Sequence, residues 1–293
     1  MELIKNDILT EERAIYQKRN LKIVNVIFDK GESPMKECNN VTLEGVSFRG
    51  RYPVWYCKDI NSHDIVFHDT ARAGVWYTNN FKMERSMIAS PKNIRRCNNV
   101  YLKDVVFTNA PETLWYCSNV NLKNITVNKG TYFAMNSENI YIENLILHGQ
   151  YTFDNCKNIE IHNSRLLTKD AFWNSENVTV YDSFISSEYL GWNSKNLTFI
   201  NCTIQSLQGL CYVDNLIMKN CNLTNTTFAF EFSSVNAEIS CVDSILNPKS
   251  GFIKASRIGE LIMEKNRVDP SETFIQCDDI SIISEKPNWI NEN

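Results

Sequence analysis

The sequence lacks several features that mark common classes of protein. It has no run of basic residues and its net charge is −4, so it offers no clustered Lys and Arg to neutralise nucleic-acid phosphates. No stretch approaches the ~18–20 continuous apolar residues of a membrane-spanning helix. The charged first twenty residues contain neither an apolar core nor a small-residue cleavage site, which argues against a secretory signal. We therefore expect a cytoplasmic protein that binds neither nucleic acid nor membranes, with secretion by a non-standard route left open.

The chain instead repeats one phrase, which is clearest in WYCSNVNLKNITV at 115–127. In each copy an apolar residue follows Asn or Asp. From Val41 to Leu216 these apolar residues are separated by 19, 21, 19, 20, 20, 19, 19, 19 and 19 positions. Beyond Leu216 the copies degenerate, and we place the next apolar positions near Val235 and at Leu261 and Ile280. Such a period is typical of a single elongated repeat domain.

Two columns of Asn and Asp mark bends in the repeat. One lies just before the apolar residue and the other four positions after it. Asn and Asp tolerate left-handed backbone conformations, and amides stacked at coil spacing can form an asparagine ladder. Apolar and polar residues alternate between the bends, as they do in strands. Each repeat therefore predicts three short strands and their bends.

Strands of this kind can satisfy their backbone groups only by pairing with the copies before and after them. We predict an all-β, single-domain right-handed parallel β-helix, a solenoid with about 19–20 residues per coil and about thirteen or fourteen coils. A leucine-rich repeat fits less well, because Ile125 stands where its Asn would be and no helix follows. We assign residues 1–20 to an N-terminal cap, 21–286 to the β-helix and 287–293 to a C-terminal tail. The oligomeric state stays open.

Cysteine and histidine do not indicate a metal or a cofactor. Most of the ten cysteines share one position with Ser and Thr, which favours small buried side chains. Cβ atoms ~4.8 Å apart along a ladder are too distant for a disulfide, which needs ~3.8 Å, so we expect free thiols. His63 and His162 share a column but lie roughly 24 Å apart at this spacing, and His68 and His148 are separated similarly. No pair can share a metal, and we expect no metal site and no cofactor.

An aromatic column lies five positions before the apolar residue, with Trp in most copies and Arg95 or Asp154 in others. Alternation counted from the cysteine column points the Trp side chains inward. The apolar residue before each Trp, together with Arg95 and Asp154 in the same column, points them outward. Both orientations stay open, but an outward column would present aromatic rings to sugars or to a protein partner.

A neighbouring loop column carries large polar and aromatic residues that the fold does not require. Arg95 fits between Trp76 and Trp115 as a cation–π contact. Asp154 and Asp170 fall on adjacent coils, at a separation comparable with that of the two carboxylates of inverting glycosidases. The candidate ligand-binding residues are Arg72, Arg95, Arg96, Trp115, Tyr116, Tyr132, Tyr151, Trp173 and Trp192. The candidate catalytic residues are Glu112, Asp154 and Asp170.

Several phrases of the repeat resemble an uncharacterised family of bacterial pectin-lyase-like proteins, namely AGVWYTNN, APETLWYCSNV, KDAFWNSENVTVYDSFIS and EYLGWNSKNLTFINCTI. The resemblance covers nearly the whole chain and implies a right-handed parallel β-helix. It implies no catalytic residue. The wider superfamily includes pectate lyases and polysaccharide hydrolases, but their calcium-binding Asp clusters and catalytic Arg or Asp motifs are not matched here, which argues against carbohydrate cleavage.

Three functions are compatible with these features. The leading hypothesis is a β-helix that binds a glycan, a glycoconjugate or a protein through the aromatic and charged residues. The second is a carbohydrate-active enzyme, a lyase or hydrolase, that uses the acidic residues of the same surface. The third is a scaffold that assembles with copies of itself. Binding without turnover would separate the first from the second, and the mass in solution would identify the third.

Overall fold

A computed structural model describes residues 2–287. These residues form parallel β-strands joined by short turns, and between them they contain no α-helix and a single three-residue 3-10 helix. The predicted fold class, an all-β parallel β-solenoid, is confirmed, with about 15 turns. The right-handed sense of the coiling remains a prediction. The chain divides into two compact units, unit 1 at residues 1–152 and unit 2 at residues 153–293, and each is described by itself.

Unit 1 is built from β1 to β14. Its strands are Glu2–Lys5, Ile8–Leu9, Arg19–Val24, Ile27–Phe28, Asn39–Glu44, Ser47–Phe48, Val54–Trp55, Lys58–His63, Val66–Phe67, Val75–Trp76, Asn79–Ile88, Asn98–Phe107, Ser118–Thr131 and Glu138–Gln150. The apolar residue of each copy pairs with that of the next, for example Leu21 with Val41 and Val100 with Val120. One period of the sequence repeat therefore corresponds to one coil of the solenoid.

Unit 2 is built from β15 to β24 and a 3-10 helix, η1, at Pro270–Glu272. Its strands are Lys157–His162, Arg165–Ala171, Glu176–Tyr181, Phe184–Leu190, Lys195–Ile200, Thr203–Gln205, Asp214–Leu223, Ser234–Leu246, Ser250–Ile262 and Thr273–Ser284. Val178, Leu197, Leu216 and Val235 follow one another in register, as the period predicts.

The register after Val235 differs from the prediction. Val235 pairs with Gly251, and Gly251 pairs with Thr273. Leu261 pairs instead with Ile245, so Leu261 and Ile280 were wrong as continuations of the apolar column. The reason is that one coil becomes shorter and the next longer. Neither Gly251 nor Thr273 follows Asn or Asp, so the usual marker of the repeat is absent.

The Asn and Asp columns adopt the conformation that their positions predict. Asn119 and Asn124, which mark the two bends of one coil, both have φ of 54°. Side-chain amides of successive coils also bond to each other: Asn177 Nδ2 donates to Asn158 Oδ1 at 2.9 Å, and Asn196 Nδ2 donates to Asn177 Oδ1 at 2.8 Å. These bonds satisfy amide groups at bends where the backbone has no strand partner.

The third segment of the coil is less strand-like than predicted. In unit 1 it forms two-residue strands at Val54–Trp55 and Val75–Trp76, and continues as isolated bridges through Arg95 to Trp115. Alternate residues of this segment are left-handed, including Glu112, Leu114 and Tyr116 with φ between 52° and 59°. The segment is therefore a tightly bent ribbon rather than a regular strand, which decides where its side chains point.

The core of each unit is filled by stacked apolar residues. In unit 1, Phe28 stacks on Phe48 with ring centroids 5.1 Å apart. All ten cysteines are free thiols, as expected, and eight are buried. Burial raises the pKa of the Cys38 thiol to about 12, and its Sγ lies 3.0 Å from the carbonyl of Ile15. Cys277, which pairs with Ala255 and is half-exposed, is not part of the buried cysteine column.

The N-terminal residues take part in the solenoid. Glu2–Lys5 pairs with Arg19–Val24, so the polar segment predicted as a cap carries strands in register with the next coil. Its strand residues are mostly exposed. The proposed cap and tail boundaries remain predictions, and residues 1 and 288–293 of those segments lie outside the described residues. The described part of the chain contains no helix that could span a membrane.

Candidate functional site

The Trp side chains of the aromatic column lie on the outer surface of the coils, half-buried: Trp55, Trp76, Trp115, Trp173 and Trp192. Leu114 fills the core, Trp115 and Tyr116 face outward, and Cys117 is again buried. In a regular strand, side chains on the same face are an even number of positions apart. Leu114 and Cys117 both point inward although they are three positions apart. The cause is the left-handed conformation of Leu114 and Tyr116 on either side of Trp115. Counting from the cysteine column therefore misleads, and the apolar residue before each Trp is the better guide.

In unit 1 the outward residues form an aromatic stack of Trp55, Trp76, Arg95 and Trp115. The rings of Trp55 and Trp76 lie parallel with centroids 5.1 Å apart. The Arg95 guanidinium lies between Trp76 and Trp115, at 5.2 Å and 4.3 Å from the two ring centroids, as predicted. Each indole N–H of the stack donates to a carbonyl one coil further on, such as Trp55 Nε1 to Ala73 O at 2.6 Å.

Glu112 forms ion pairs with two cations beside the stack. Its Oε2 lies 2.5 Å from Arg95 Nη2 and 3.2 Å from Lys92 Nζ. Partial burial raises its pKa, but the bonds from Arg95 and Lys92 outweigh burial and leave the pKa below its usual value. A carboxylate held ionised between two cations is a poor proton donor. The geometry therefore favours a structural role for Glu112.

A second row beside the stack is the more exposed one, and it consists of Tyr56, Tyr77, Arg96 and Tyr116. Tyr56 and Tyr77 stack with centroids 4.7 Å apart, and the Arg96 guanidinium lies 4.6 Å from the Tyr116 ring centroid. We call this the tyrosine row. Its rings, like those of the stack, face one another along the solenoid rather than outward.

Tyr132 and Tyr151 extend the surface of unit 1, whereas Arg72 does not. The Tyr132 ring lies against Trp115 and stacks on Tyr151 at 5.1 Å. Arg72 is exposed in its loop and contributes its backbone carbonyl to Tyr52 N at 3.2 Å. Within the described residues its side chain makes no hydrogen bond or ion pair with the stack, so the structure does not join Arg72 to the stack, and its role in ligand binding stays a prediction.

The stacking in unit 1 limits what this surface can bind. A sugar ring packs on the face of an aromatic ring. Here Trp55 and Trp76, and Tyr56 and Tyr77, cover each other's faces with interplanar angles of 8° and 4°. The guanidinium of Arg95 covers the faces of its two neighbours. The unit 1 surface therefore presents ring edges, which suits cohesion between coils better than recognition of a sugar.

In unit 2 the same column position holds a buried carboxyl. Asp154 and Asp170 are 7% and 2% exposed, and one carboxyl oxygen of each, Oδ1, is buried without a hydrogen bond. Burial, opposed by the backbone N–H of Trp173 and reinforced by the charge of Asp170, raises the pKa of Asp154 to about 7. Burial likewise raises the pKa of Asp170. We call these two residues the acid pair.

The expectation that Asp154 argues against burial of its column was wrong for that residue. Asp154 occupies the position that Trp or Arg holds in other coils, and those longer side chains reach the loop position of the next coil. Asp170 holds that loop position above Asp154. A short acid therefore occupies a column position that holds Trp in several other coils. Trp173, in the next coil, also has its Nε1 buried without a hydrogen bond.

A row of tilted aromatic rings runs through unit 2, composed of Trp173, Trp192, Tyr212 and Phe232. Successive ring centroids lie 6.3, 5.0 and 5.4 Å apart, with interplanar angles of 41° to 45°. Tilted rings leave part of each face uncovered, unlike the parallel rings of unit 1. Trp173 and Trp192, predicted as ligand-binding residues, are thus placed together, but Tyr212 and Phe232 were not predicted.

The end of this row opens into a cleft of about 660 Å³. Tyr212 and Phe232 form its aromatic wall, and Lys249, Arg267 and Asp269 are among its polar lining residues. The longer coil between Gly251 and Thr273 supplies part of the polar side of the cleft, including Arg267 and Asp269, which precede η1. A pocket of this size suits a ligand of one to a few sugar rings.

Arg267 is fixed in the cleft by two buried acids. Its Nη1 lies 3.2 Å from Glu264 Oε2 and 3.6 Å from Glu231 Oε1, and its guanidinium lies 4.8 Å from the Phe232 ring centroid. Gln208 Nε2 donates to Glu231 at 3.1 Å. Burial raises the pKa of Glu231, although Arg267 and Gln208 oppose the shift. This network holds the added loop against the coil.

Sequence reasoning missed the cleft because its residues do not fall in the columns of the repeat. Pro248, Gly251 and Gly259 signalled a longer loop, but the pattern does not say where that loop folds. Tyr212 and Phe232 were hidden because neither stands in the Trp column, whose position before Leu216 is taken by Cys211. The available signal was the aromatic residue that persists at Tyr212 after the Trp column ends at Trp192.

The histidines and the acids provide no metal centre in the described residues. Nowhere in residues 2–287 do three or more His, Cys, Asp or Glu side chains come together in a way that could hold a metal ion. His63 bonds to Asp64 at 2.8 Å, and His162 bonds to Glu160 at 2.7 Å and stacks on Tyr181. These are local surface contacts.

A family model described as a protein of unknown function (DUF3737) matches residues 2–276. The chain belongs to this family. None of the curated proteins matches the sequence. The resemblance to an uncharacterised family is confirmed in this form, and the family description adds no activity.

Two solved structures are similar in part. The A-module of the Azotobacter vinelandii mannuronan C-5 epimerase AlgE4 is 10% identical, with 97% of this chain and 87% of that chain covered and a TM-score of 0.26. The Streptococcus pneumoniae surface protein and adhesin PfbA is 8% identical, with 96% and 86% covered and a TM-score of 0.32. The strand register of this chain establishes its fold independently of them.

Proposed function

We propose that the protein binds a glycan in the cleft of unit 2 and does not cleave it. The observation that carries the proposal is a cleft of about 660 Å³ with Tyr212 and Phe232 on one side and charged groups on the other. Aromatic rings pack on the C–H face of a sugar, and polar groups read its hydroxyls. The tilted rings of Trp173 and Trp192 continue the same row and extend the surface for a longer chain.

A glycan array tests this proposal directly. The wild type should bind a subset of oligosaccharides, and Tyr212→Ala should lose at least ten-fold in affinity, because about 1.4 kcal/mol of ring contact is removed. Tyr56→Ala is the matched control, since Tyr56 is an exposed, stacked tyrosine of unit 1. Equal loss in both variants, or no binding by the wild type, would contradict the proposal.

A second candidate function is that of a carbohydrate-active enzyme, and the acid pair supports it. Asp154 and Asp170 are buried carboxyls whose pKa values are both raised, and a carboxyl with pKa about 7 can act as a general acid near neutral pH. The family motifs of the cleaving enzymes are not matched, which is why this reading ranks second. Glu112 is no longer included, because Arg95 and Lys92 hold it ionised.

Product assays separate the two functions. Reducing ends and unsaturated products are measured after incubation of the wild type and Asp154→Asn with the glycans bound on the array. Turnover that disappears in Asp154→Asn supports the enzyme. Binding with no product from either protein supports the leading proposal. A third result, a mass that rises with concentration in light scattering, supports the assembly scaffold.

The cytoplasmic location is likewise our proposal. It is supported by the free thiols of all ten cysteines, since reducing compartments keep thiols unpaired. Fractionation of cells that produce the protein tests it, with recovery in the cell envelope or medium as the opposing result.

A further inference from the structure

We infer that the unit 2 cleft selects amine-bearing sugars, such as oligomers of glucosamine, over acidic sugars such as uronates. The inference rests on the proposed function and specifies its ligand class. It follows from three features of the cleft: which of its charges are already paired, which remain available to a ligand, and what its aromatic wall can contact.

The positive charge of Arg267 is offset by two acids that contact its guanidinium. Its guanidinium is held between Glu264 and Glu231, which are 8% and 5% exposed, and it also covers the ring of Phe232. Asn247 Nδ2 donates to Glu264 at 2.5 Å and keeps that carboxylate in place. A ligand carboxylate that approached Arg267 would also approach the carboxylates of Glu264 and Glu231, which oppose its binding.

The charges that remain around the cleft are mainly negative. Asp214, Asp269 and Glu272 are exposed and line it, while Lys249 is the opposing cation. None of these four takes part in an ion pair within residues 2–287. The Ser271 hydroxyl and backbone N–H both bond to Asp269, which holds the pKa of its carboxyl below the ordinary value. Three available carboxylates against one ammonium give the cleft a negative potential.

A negative potential beside an aromatic wall matches an amino sugar. The ammonium group is attracted by the three carboxylates, while the C–H face of the sugar ring packs on the aromatic wall at Tyr212. A neutral sugar keeps the ring packing and loses the charge attraction. A uronate brings a carboxylate among like charges and is repelled. The expected order of affinity is therefore amino sugar, neutral sugar, uronate.

The test compares three oligosaccharides of equal length with the full chain by titration calorimetry: glucosamine, N-acetylglucosamine and galacturonate oligomers. Measurements at low and high salt should show that only glucosamine binding weakens as salt screens the charges. Asp214→Asn and Glu272→Gln should each weaken glucosamine binding about two- to five-fold and leave N-acetylglucosamine binding unchanged. Asp243→Asn removes an exposed carboxylate that does not line the cleft and serves as the matched control.

Lys249→Ala makes the test decisive because its predicted effect has the opposite sign. Removal of this unpaired cation should strengthen glucosamine binding by a few-fold. If the cleft instead recognises an acid, the same substitution should weaken galacturonate binding. Preferential binding of galacturonate, or weaker glucosamine binding by Lys249→Ala, would overturn the inference and leave glycan binding intact. Failure of all three oligosaccharides to bind would instead remove the proposed function itself.

Discussion

A single residue, Asp154, departs most from the rules of its column. In unit 1 most coils hold Trp or Arg at this position, and those long side chains bond to a carbonyl of the next coil. Asp154 is too short to do so, and it is buried beside Asp170 with one oxygen unbonded. A buried carboxylate with an unbonded oxygen costs free energy unless it takes up a proton. No sequence pattern could show this, because burial depends on the neighbouring coils.

The stability of the protein should therefore fall as the pH rises through neutrality. The folded pKa of Asp154, about 7, exceeds its ordinary value of 3.8, so the folded state binds the proton more tightly. The stabilisation that this bound proton gives the folded state is complete below the pKa of Asp154 in the unfolded chain. It is lost as the pH rises to the folded pKa. The raised pKa values of Asp170 and Glu231 act in the same direction. Melting temperatures should decline between about pH 4 and pH 8 and level off above that range.

Asp154→Asn isolates the contribution of that one carboxyl. The variant should show a shallower decline, and at about pH 8 it should be more stable than the wild type by roughly 1–3 kcal/mol. Glu112→Gln is the control, since a lowered pKa predicts the opposite sign. An Asp154→Asn variant with the same pH dependence as the wild type would show that this carboxyl does not titrate in the window.

Arg95 provides a second test at the residue scale. Arg95→Leu keeps an apolar filler between Trp76 and Trp115 but leaves Glu112 without its closest partner. We expect a loss of about 1–3 kcal/mol in the free energy of unfolding by denaturant, because two cation–π contacts and a charge-assisted bond disappear. Arg96→Leu, at the exposed neighbouring position, should lose less than about 1 kcal/mol. Equal losses would show that the stack has no special role.

At the scale of the element, the two regular strands were predictable and the third segment was not. Strand alternation and the Asn columns depend on residues close together in the sequence, and both are found as expected. The third segment alternates left-handed residues such as Leu114 and Tyr116, and neither residue type predicts that conformation. Its inward and outward positions are imposed by pairing with adjacent coils. The orientation of Trp115 therefore could not be decided from alternation.

The Asn columns combine two roles that substitution can separate. Asn177 has φ of 58° and exchanges amide bonds with Asn158 and Asn196. Asn177→Gly tolerates the left-handed bend but removes the amide bonds. Asn177→Ala removes the amide bonds and also strains the left-handed backbone. In urea unfolding we expect Asn177→Ala to cost about 1–3 kcal/mol and Asn177→Gly about 1 kcal/mol less than that. Equal costs would assign the whole effect to the amide bonds.

At the scale of the whole molecule, the fold was predictable because one period governs most of the chain. The prediction failed where the period changes, after Val235, since Leu261 continued the sequence pattern but not the strand register. That same change of coil length places Arg267 and η1 beside Tyr212 and Phe232. The most promising site thus lies where the repeat is broken. A search of the regular columns led instead to the stacked rings of unit 1.

The cysteines report on the packing of all the coils at once. Eight thiols are buried, and only Cys241 and Cys277 are half-exposed. Burial also raises the pKa of the Cys211 thiol to about 12, so little reactive thiolate forms there near neutral pH. We expect a thiol reagent to label at most two cysteines rapidly in the native protein and all ten in denaturant.

Mass spectrometry of the labelled protein identifies which thiols react. Slow labelling of the buried cysteines should follow the unfolding of the coils that enclose them, because a reagent cannot enter a close-packed core. Cys38 and Cys57 in unit 1 and Cys202 and Cys221 in unit 2 should therefore be protected in the native protein. Rapid labelling of Cys57 or Cys221, or a mass that shows disulfides, would contradict a solenoid filled by stacked free thiols. The recurrence of cysteine would then indicate a reactive role for the thiols rather than a role as small core side chains.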